Sequence, residues 1–298
     1  MRVLISGASG LVGTEVARQL AERGDQAIRL VRRPARSADE IEWNPATGTL
    51  DSGVMETIDA VVNMAGATTG KLPWTKAYKL EIVGSRLDST RTLVNAINAA
   101  TKKPKVLVSG SASGYYGDTG NQVLNETDPK GTGFLADLAA QWEAEAKKVD
   151  PSVRLVLART TMVLSRKLGA LGRLLPILKL GVGGPLGNGK QWWAWISVQD
   201  EAGAILHLID HATANGPFNL TAPEPATCRQ LVDALGKALN RPTLIPVPEF
   251  ALRLAFGEGA DELLLCSQNM SATKLLESGY VFRHPTLKSA AEWVVGKD

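Results

Sequence analysis

The sequence predicts an α/β fold, a doubly wound parallel sheet of Rossmann type carrying a smaller C-terminal substrate lobe. Three observations predict it. Short apolar runs alternate with longer amphipathic stretches through the first half of the chain. A glycine-rich turn, Gly7-Ala-Ser-Gly10-Leu-Val-Gly13, separates the first apolar run from the first amphipathic one. Beyond about residue 166 the texture changes to Gly/Pro-rich loops between helical segments.

Taken in order, the spacing predicts a strand over Arg2–Ser6, a helix over Leu11–Arg23, and a strand over Ala27–Val31. A strand over Ala60–Met64, a long helix over Lys76–Ala100, and a strand over Lys105–Ser109 follow. A helix over Phe134–Val149 and a strand over Arg154–Ala158 complete the series. The runs VLI, AVVNM and VLV are continuously apolar instead of alternating, so each predicts a strand buried on both faces. Residues 1–166 are expected to form the nucleotide-binding domain, with 197–222 returning to it because Phe218-Asn219-Leu220 has the texture of a further strand. Residues 167–196 and 223–298, with helical segments at Cys228–Leu239 and Thr286–Val295, are expected to form the lobe over the sheet's carboxyl edge.

The bulk numbers exclude several classes. The 298 residues carry 33 basic and 30 acidic side chains, so a net charge of +3 gives no reason to expect nucleic acid as a partner. No run of about 18 apolar residues occurs, and the apolar start is too short for a signal peptide, so a cytoplasmic protein without membrane partners is expected. The two cysteines, Cys228 and Cys266, have no redox or ligand spacing, and His207, His211 and His284 are scattered, so no metal site is expected.

The glycine turn has a physical purpose. It permits a tight bend without a Cβ, brings backbone N–H groups close to a pyrophosphate, and aims a helix N-terminus at that charge. Gly7, Ser9, Gly10, Leu11, Val12 and Gly13 are therefore the expected cofactor cradle. The next strand ends in Arg32-Arg33 where an acidic residue would select the unphosphorylated ribose. Two guanidiniums there match a 2′-phosphate, and NADP(H) is the expected cofactor.

These motifs resemble the short-chain dehydrogenase/reductase superfamily, in its extended and atypical branch. Asn63-Met-Ala65-Gly66 is similar to the turn those proteins place beside the cofactor, and Ser109-Gly-Ser111-Ala-Ser113-Gly-Tyr115-Tyr116 to their serine-containing strand end. More narrowly, LEIVGSRLDSTRTL, SASGYYGD, WEAEA, GGPLGNGKQWWAWI, FNLTAPEP, LNRPTLIPVP and LLESGYVFRHPTL resemble NADP-binding "epimerase family" proteins with a small C-terminal domain of unknown function. The resemblance implies that Glu81 and Arg86, taken as one helix face at spacing five, contact the cofactor together with Ala65, Gly66 and Ser109. Read bare, Glu81 and Arg86 are equally consistent with surface charges. The superfamily often pairs through a helix bundle, so a homodimer is the oligomer it implies.

Two departures from the pattern bear on chemistry. The superfamily's proton-transfer pair, a tyrosine and a lysine four residues apart, belongs in GFLADLAAQWEAEAK; aligned on Glu143, those positions hold Leu135 and Ala139, and shifted by one they hold Phe134 and Leu138. Neither pair moves a proton, so Ser111, Tyr115 and Tyr116 are the candidate catalytic residues. Second, nucleotide-sugar enzymes hold the substrate diphosphate with an arginine in G-x-G-x-Q-x-R-x-F, whereas Gly187-Asn-Gly-Lys190-Gln191-Trp192-Trp193-Ala-Trp195 has Trp193 there. The expected substrate is therefore small, non-nucleotide and aromatic or apolar, in a pocket of Ser113, Lys190, Gln191, Trp192, Trp193 and Trp195. An enzyme of oxidoreductase or epimerase type is one reading; a binding protein that reports NADP(H) redox state is the other.

Overall fold

The computed structural model describes residues 1–166 and 171–297. The first half runs β1 (Arg2–Ser6), α1 (Leu11–Glu22), β2 (Gln26–Val31), β3 (Glu40–Glu42), β4 (Ala60–Asn63), α2 (Lys76–Ala99), β5 (Val106–Ala112), β6 (Val123–Leu124) and α3 (Phe134–Ala146). The second half runs β7 (Arg154–Thr160), β8 (Met162–Leu164), α4 (Leu171–Lys179), β9 (Trp195–Ser197), α5 (Val198–Asp210), β10 (Gly216–Leu220), α6 (Cys228–Leu239), α7 (Glu249–Phe256), β11 (Asn269–Met270), α8 (Thr273–Glu277) and α9 (Leu287–Val295).

Seven strands form one parallel sheet in the order β10-β7-β5-β4-β1-β2-β3. The chain winds outward from β1 to β3 and then restarts on the other side of β1 with β4. A crevice therefore opens at the carboxyl ends of β1 and β4, the position where open α/β sheets hold ligands. The central strands β1 and β4 are apolar on both faces because helices cover both. Val3 and Ile5 of β1 pack with Val16 and Leu20 of α1 and Ile205 and Leu208 of α5. Leu4, between them, points the other way toward Leu93 and Ile97 of α2.

β3 has no counterpart in the sequence reading. It is a three-residue edge strand with a carboxylate on each side of one apolar residue, Glu40-Ile-Glu42, and such a segment has no apolar run to announce it. β5 and β7 also extend past the expected ends, so that Ser111 and Arg159 lie within the sheet.

In the second half, α5 packs on α1, and β10 pairs in parallel with β7 from Gly216↔Val156 to Leu220↔Thr160. The lobe's core joins α6, α9, α4 and β9 through Leu231, Val232, Leu235, Ala290, Val294 and Trp195. Both α6 and α9 start with reciprocal side-chain caps, Thr227 with Gln230 and Thr286 with Ser289, which satisfy helix donors that packing leaves open. The lobe boundary placed at residue 167 falls outside the described residues.

Candidate functional site

The cradle at the end of β1 is built on close backbone approach. Gly7 has φ +69°, and a Cβ there would lie 2.5 Å from the Met64 carbonyl oxygen. A Cβ on Gly13 would lie 2.3 Å from the Gly7 oxygen, so the first turn of α1 presses on the loop only because both positions are glycine. Gly10 caps α1 without a side chain, and no acidic residue sits in its first turn. The opening amides of the helix are thus left for an anion. Ser9 is exposed beside them, and Leu11 and Val12 are half-buried.

The neighbouring strand ends are stitched together. Ser6 Oγ donates to Asn63 Oδ1 at 2.6 Å and accepts from the Ala65 amide at 3.2 Å, while Asn63 Nδ2 donates to Thr90 Oγ1 at 2.8 Å. Ser109 is fully buried, 3.5 Å from Asn63 Nδ2. Ser6 and Thr90 were invisible to motif reading because their contacts span 27 to 59 residues of sequence.

Arg32 and Arg33 stand at the end of β2. Arg33 forks onto Glu40 through two contacts of 2.7 Å, and the guanidinium holds the Glu40 carboxyl down at about 2. Arg32 is exposed and makes no ion pair with a described residue. The shared helix face expected for Glu81 and Arg86 is not found. Five residues advance a helix by roughly 140° past a full turn, so Glu81 points to solvent while Arg86 turns inward. Arg86 Nη1 donates to the Ala67 and Ile82 carbonyls at 2.9 and 3.0 Å, and its Cζ would lie 3.0 Å from a Cβ on Gly66. It faces the Trp142 ring at 5.2 Å and pairs with no carboxylate among the described residues. Burial lowers its pKa to about 10.

On the other side of the crevice, α3 presents a hydrocarbon wall where the acid pair would be. Leu135 and Leu138 pack with Ile82, Trp74, Phe134 and Leu263. The N-terminus of α3 is capped from the C-terminal region, because Glu262 accepts from the Phe134 and Leu135 amides at 2.9 and 3.1 Å. Gly133, at φ +111°, leaves room for that carboxylate, since a Cβ would lie 2.4 Å from Glu262 Oε1.

The three candidate catalytic residues divide. Ser111 is 4% exposed, and its hydroxyl donates to Glu143 Oε1 at 2.8 Å. Glu143 is ion-paired with Arg159 at 2.9 Å, both nearly inaccessible. The Tyr116 hydroxyl accepts from Arg159 Nη1 at 2.8 Å and lies 2.7 Å from Asn219 Oδ1; burial pushes its pKa up to about 12. Ser111 and Tyr116 are thus corrected to members of a buried network instead of free donors. Tyr115 differs. It is half-buried, with its ring face 3.7 Å from the Arg159 guanidinium carbon, and its hydroxyl bonds to no described residue. Ser113, next to it, is also half-buried without a hydrogen bond to a described residue.

The aromatic pocket is corrected as well. Trp193 and Trp195 belong to the core of the lobe, at 8% and 1% exposure, and Trp193 Nε1 donates to the Leu264 carbonyl at 3.1 Å. Packing wins because each indole has a large apolar area to bury. Trp192 is half-buried and donates to Asn121 Oδ1 at 3.0 Å. Gln191 is spent on the Leu186 and Leu264 carbonyls, and Lys190 is exposed. The sequence reading missed Arg159 and Asn219. A charge closing an apolar strand, in RLVLAR, was the available signal for Arg159.

Glu201 is a further buried acid. Its Oε1 accepts from the Thr160 hydroxyl at 2.6 Å, Oε2 has no partner, and burial raises its pKa to about 8. No group of His, Cys, Asp and Glu among the described residues is placed to hold a metal, and no described helix is long and apolar enough to cross a membrane.

Comparison with known proteins identifies the family. Residues 3–221 match the model of the NAD dependent epimerase/dehydratase family, and 247–294 match a domain of unknown function, DUF1731. An epimerase family protein of Mycobacterium leprae is 39% identical over 292 residues, covering 98% of this chain and 94% of that one. The crystal structure of human epimerase family protein SDR39U1 (isoform 2), which holds NADPH, superposes with a TM-score of 0.92 at 32% identity and covers 99% of both chains. A nucleoside-diphosphate sugar epimerase from Corynebacterium glutamicum superposes at 0.82 and 27% identity, over 99% of this chain and 58% of that one. The chain belongs to the NAD-dependent epimerase/dehydratase family, with a C-terminal DUF1731 domain.

Proposed function

We propose that the chain is an NADP(H)-dependent oxidoreductase or epimerase-like enzyme acting on a small, apolar or aromatic, non-nucleotide substrate. The observation that carries the cofactor is the glycine cradle, whose two closest approaches a Cβ would fill. Arg33 and Arg32 supply charge for a 2′-phosphate, and the human relative crystallised with NADPH supports the same assignment. Ala65, Gly66 and Arg86 line the turn beside the cradle, and Arg86 brings a buried cation with no carboxylate to neutralise it.

When bound, NADP(H) donates or accepts a hydride. The chain's own residues then place the substrate and handle a proton. The wall of Leu135, Phe134 and Ile82 excludes water and favours an apolar substrate. Tyr115, with its hydroxyl uncommitted, is the proton donor to a developing alkoxide, and Arg159 under its ring fixes it. Ser113 lies next to it to hold the substrate oxygen.

The second reading, an NADP(H) binder without turnover, is favoured by the commitment of Ser111 and Tyr116 to internal partners. Fluorescence titration with NADPH and NADH, followed by NADPH oxidation across a panel of aryl and alkyl carbonyls, separates the two. Tight NADPH binding and oxidation that drops at least tenfold in Tyr115→Phe support the enzyme. Binding without oxidation of any carbonyl supports the binder, and binding of neither nucleotide sinks both.

A further inference from the structure

Arg33 is held in one pose, and that pose leaves two of its donors free. A guanidinium carries five N–H donors in a plane. Nη1 uses both of its hydrogens, on Glu40 Oε2 at 2.7 Å and on the Pro34 carbonyl at 3.0 Å, and Nη2 uses one, on Glu40 Oε1 at 2.7 Å. The Nε hydrogen and the second Nη2 hydrogen remain. These two lie side by side on the same edge of the plane, which is the fork that matches two oxygens of a phosphate.

Glu40 is itself fixed. It opens β3, directly beside Arg29 of β2, and its Oε2 also accepts the Arg36 amide at 2.8 Å. The carboxylate is therefore part of the sheet edge and not a mobile counter-ion, and it grips the guanidinium end-on without touching the free edge.

We infer that Glu40 is a specificity-determining residue for the cofactor, positioning the free edge of Arg33 to receive the 2′-phosphate of NADP(H). This rests on the NADP(H) reading above and deepens it. Glu40 has two opposed effects on a phosphate, orientation of Arg33 and charge repulsion. The Glu40 charge is already engaged by the Arg33 guanidinium and the Arg36 amide, which offsets much of its repulsion of a phosphate on the far edge, while an unheld Arg33 pays the cost of ordering a long side chain on binding. Orientation wins, and removing the carboxylate weakens NADPH binding.

The test is titration of the full chain at 0.15 M salt with NADPH, NADH, adenosine 2′,5′-bisphosphate and AMP, for wild type, Glu40→Ala, Arg33→Ala and the double variant. In Glu40→Ala the dissociation constants of NADPH and of adenosine 2′,5′-bisphosphate are expected to rise about three- to tenfold, with NADH and AMP unchanged. In the Arg33→Ala background the same substitution is expected to add nothing. Unchanged or tighter NADPH binding in Glu40→Ala, beside a clear loss in Arg33→Ala, overturns the inference and leaves the cofactor reading standing. Equal weakening of NADPH and NADH overturns it too, as damage to the edge strand. A wild type that does not distinguish NADPH from NADH overturns the cofactor reading, and the inference with it.

Discussion

The two sides of the crevice solve opposite problems. Around β1, β2 and β4, donors are left open: the first amides of α1 lack a side-chain cap, Arg33 keeps one edge free, and Arg86 has no carboxylate. Around β5, β7 and α3, donors and acceptors are spent on one another, as Ser111, Glu143, Arg159, Tyr116 and Asn219 form a closed buried network. Open groups cost stability unless a ligand completes them, whereas closed networks add rigidity and leave little for a ligand. The first side is built to bind, and the second to hold shape around Tyr115.

The sharpest way to break this contrast is to open the closed side. Glu143→Ala strands the Arg159 charge in the interior and leaves the Ser111 hydroxyl without its acceptor, and it is expected to cost about 3–5 kcal/mol in urea denaturation. Arg33→Ala, on the open side, is expected to leave the urea midpoint almost unchanged, because the side chain lies at the surface. If the two variants destabilise the fold equally, the contrast fails.

A smaller effect comes from Glu201, beneath the closed side. Its folded pKa of about 8 lies above the unfolded carboxyl value, so the folded chain retains a proton that the unfolded chain releases. The sign follows from that difference. This contribution is fully present below about pH 4.5, declines as pH rises, and is lost through about pH 8. Glu201→Gln keeps the acceptor for Thr160 and cannot ionise, so urea midpoints at pH 5, 7 and 9 should fall in the wild type and flatten in the variant. Parallel slopes in both proteins would remove Glu201 as the cause.

How much of this was legible beforehand follows from the range of the signal. The cradle was readable because its glycines are local: three residues spaced by three declare strand, turn and helix together. Arg33 was readable as a charge at a strand end, but Glu40 was not, because β3 is too short to announce itself. On the closed side the motif supplied Ser111 and the two tyrosines, yet the roles of Ser111 and Tyr116 depend on Glu143 and Asn219, 32 and 103 residues away along the chain, which no spacing rule encodes. The tryptophans misled for a related reason. Three indoles in four residues look the same in sequence whether they line a pocket or fill a core, and only the packing of α6 and α9 against β9 decides.

The smallest predicted effect tests whether the two sides are linked through the C-terminal region. Glu262 caps α3 from outside the first domain, satisfying two amides that Gly133 cannot. Losing a helix cap costs about 1 kcal/mol, so Glu262→Ala should lower the urea midpoint slightly. Glu262→Gln keeps an acceptor and should recover about half of that loss. Because the cap anchors the hydrocarbon wall and not the cradle, NADPH affinity should be unchanged while hydrogen exchange at Phe134 and Leu135 accelerates. Weaker NADPH binding in Glu262→Ala would mean that the C-terminal region sets the cofactor side as well, and that the open and closed sides are one cooperative unit.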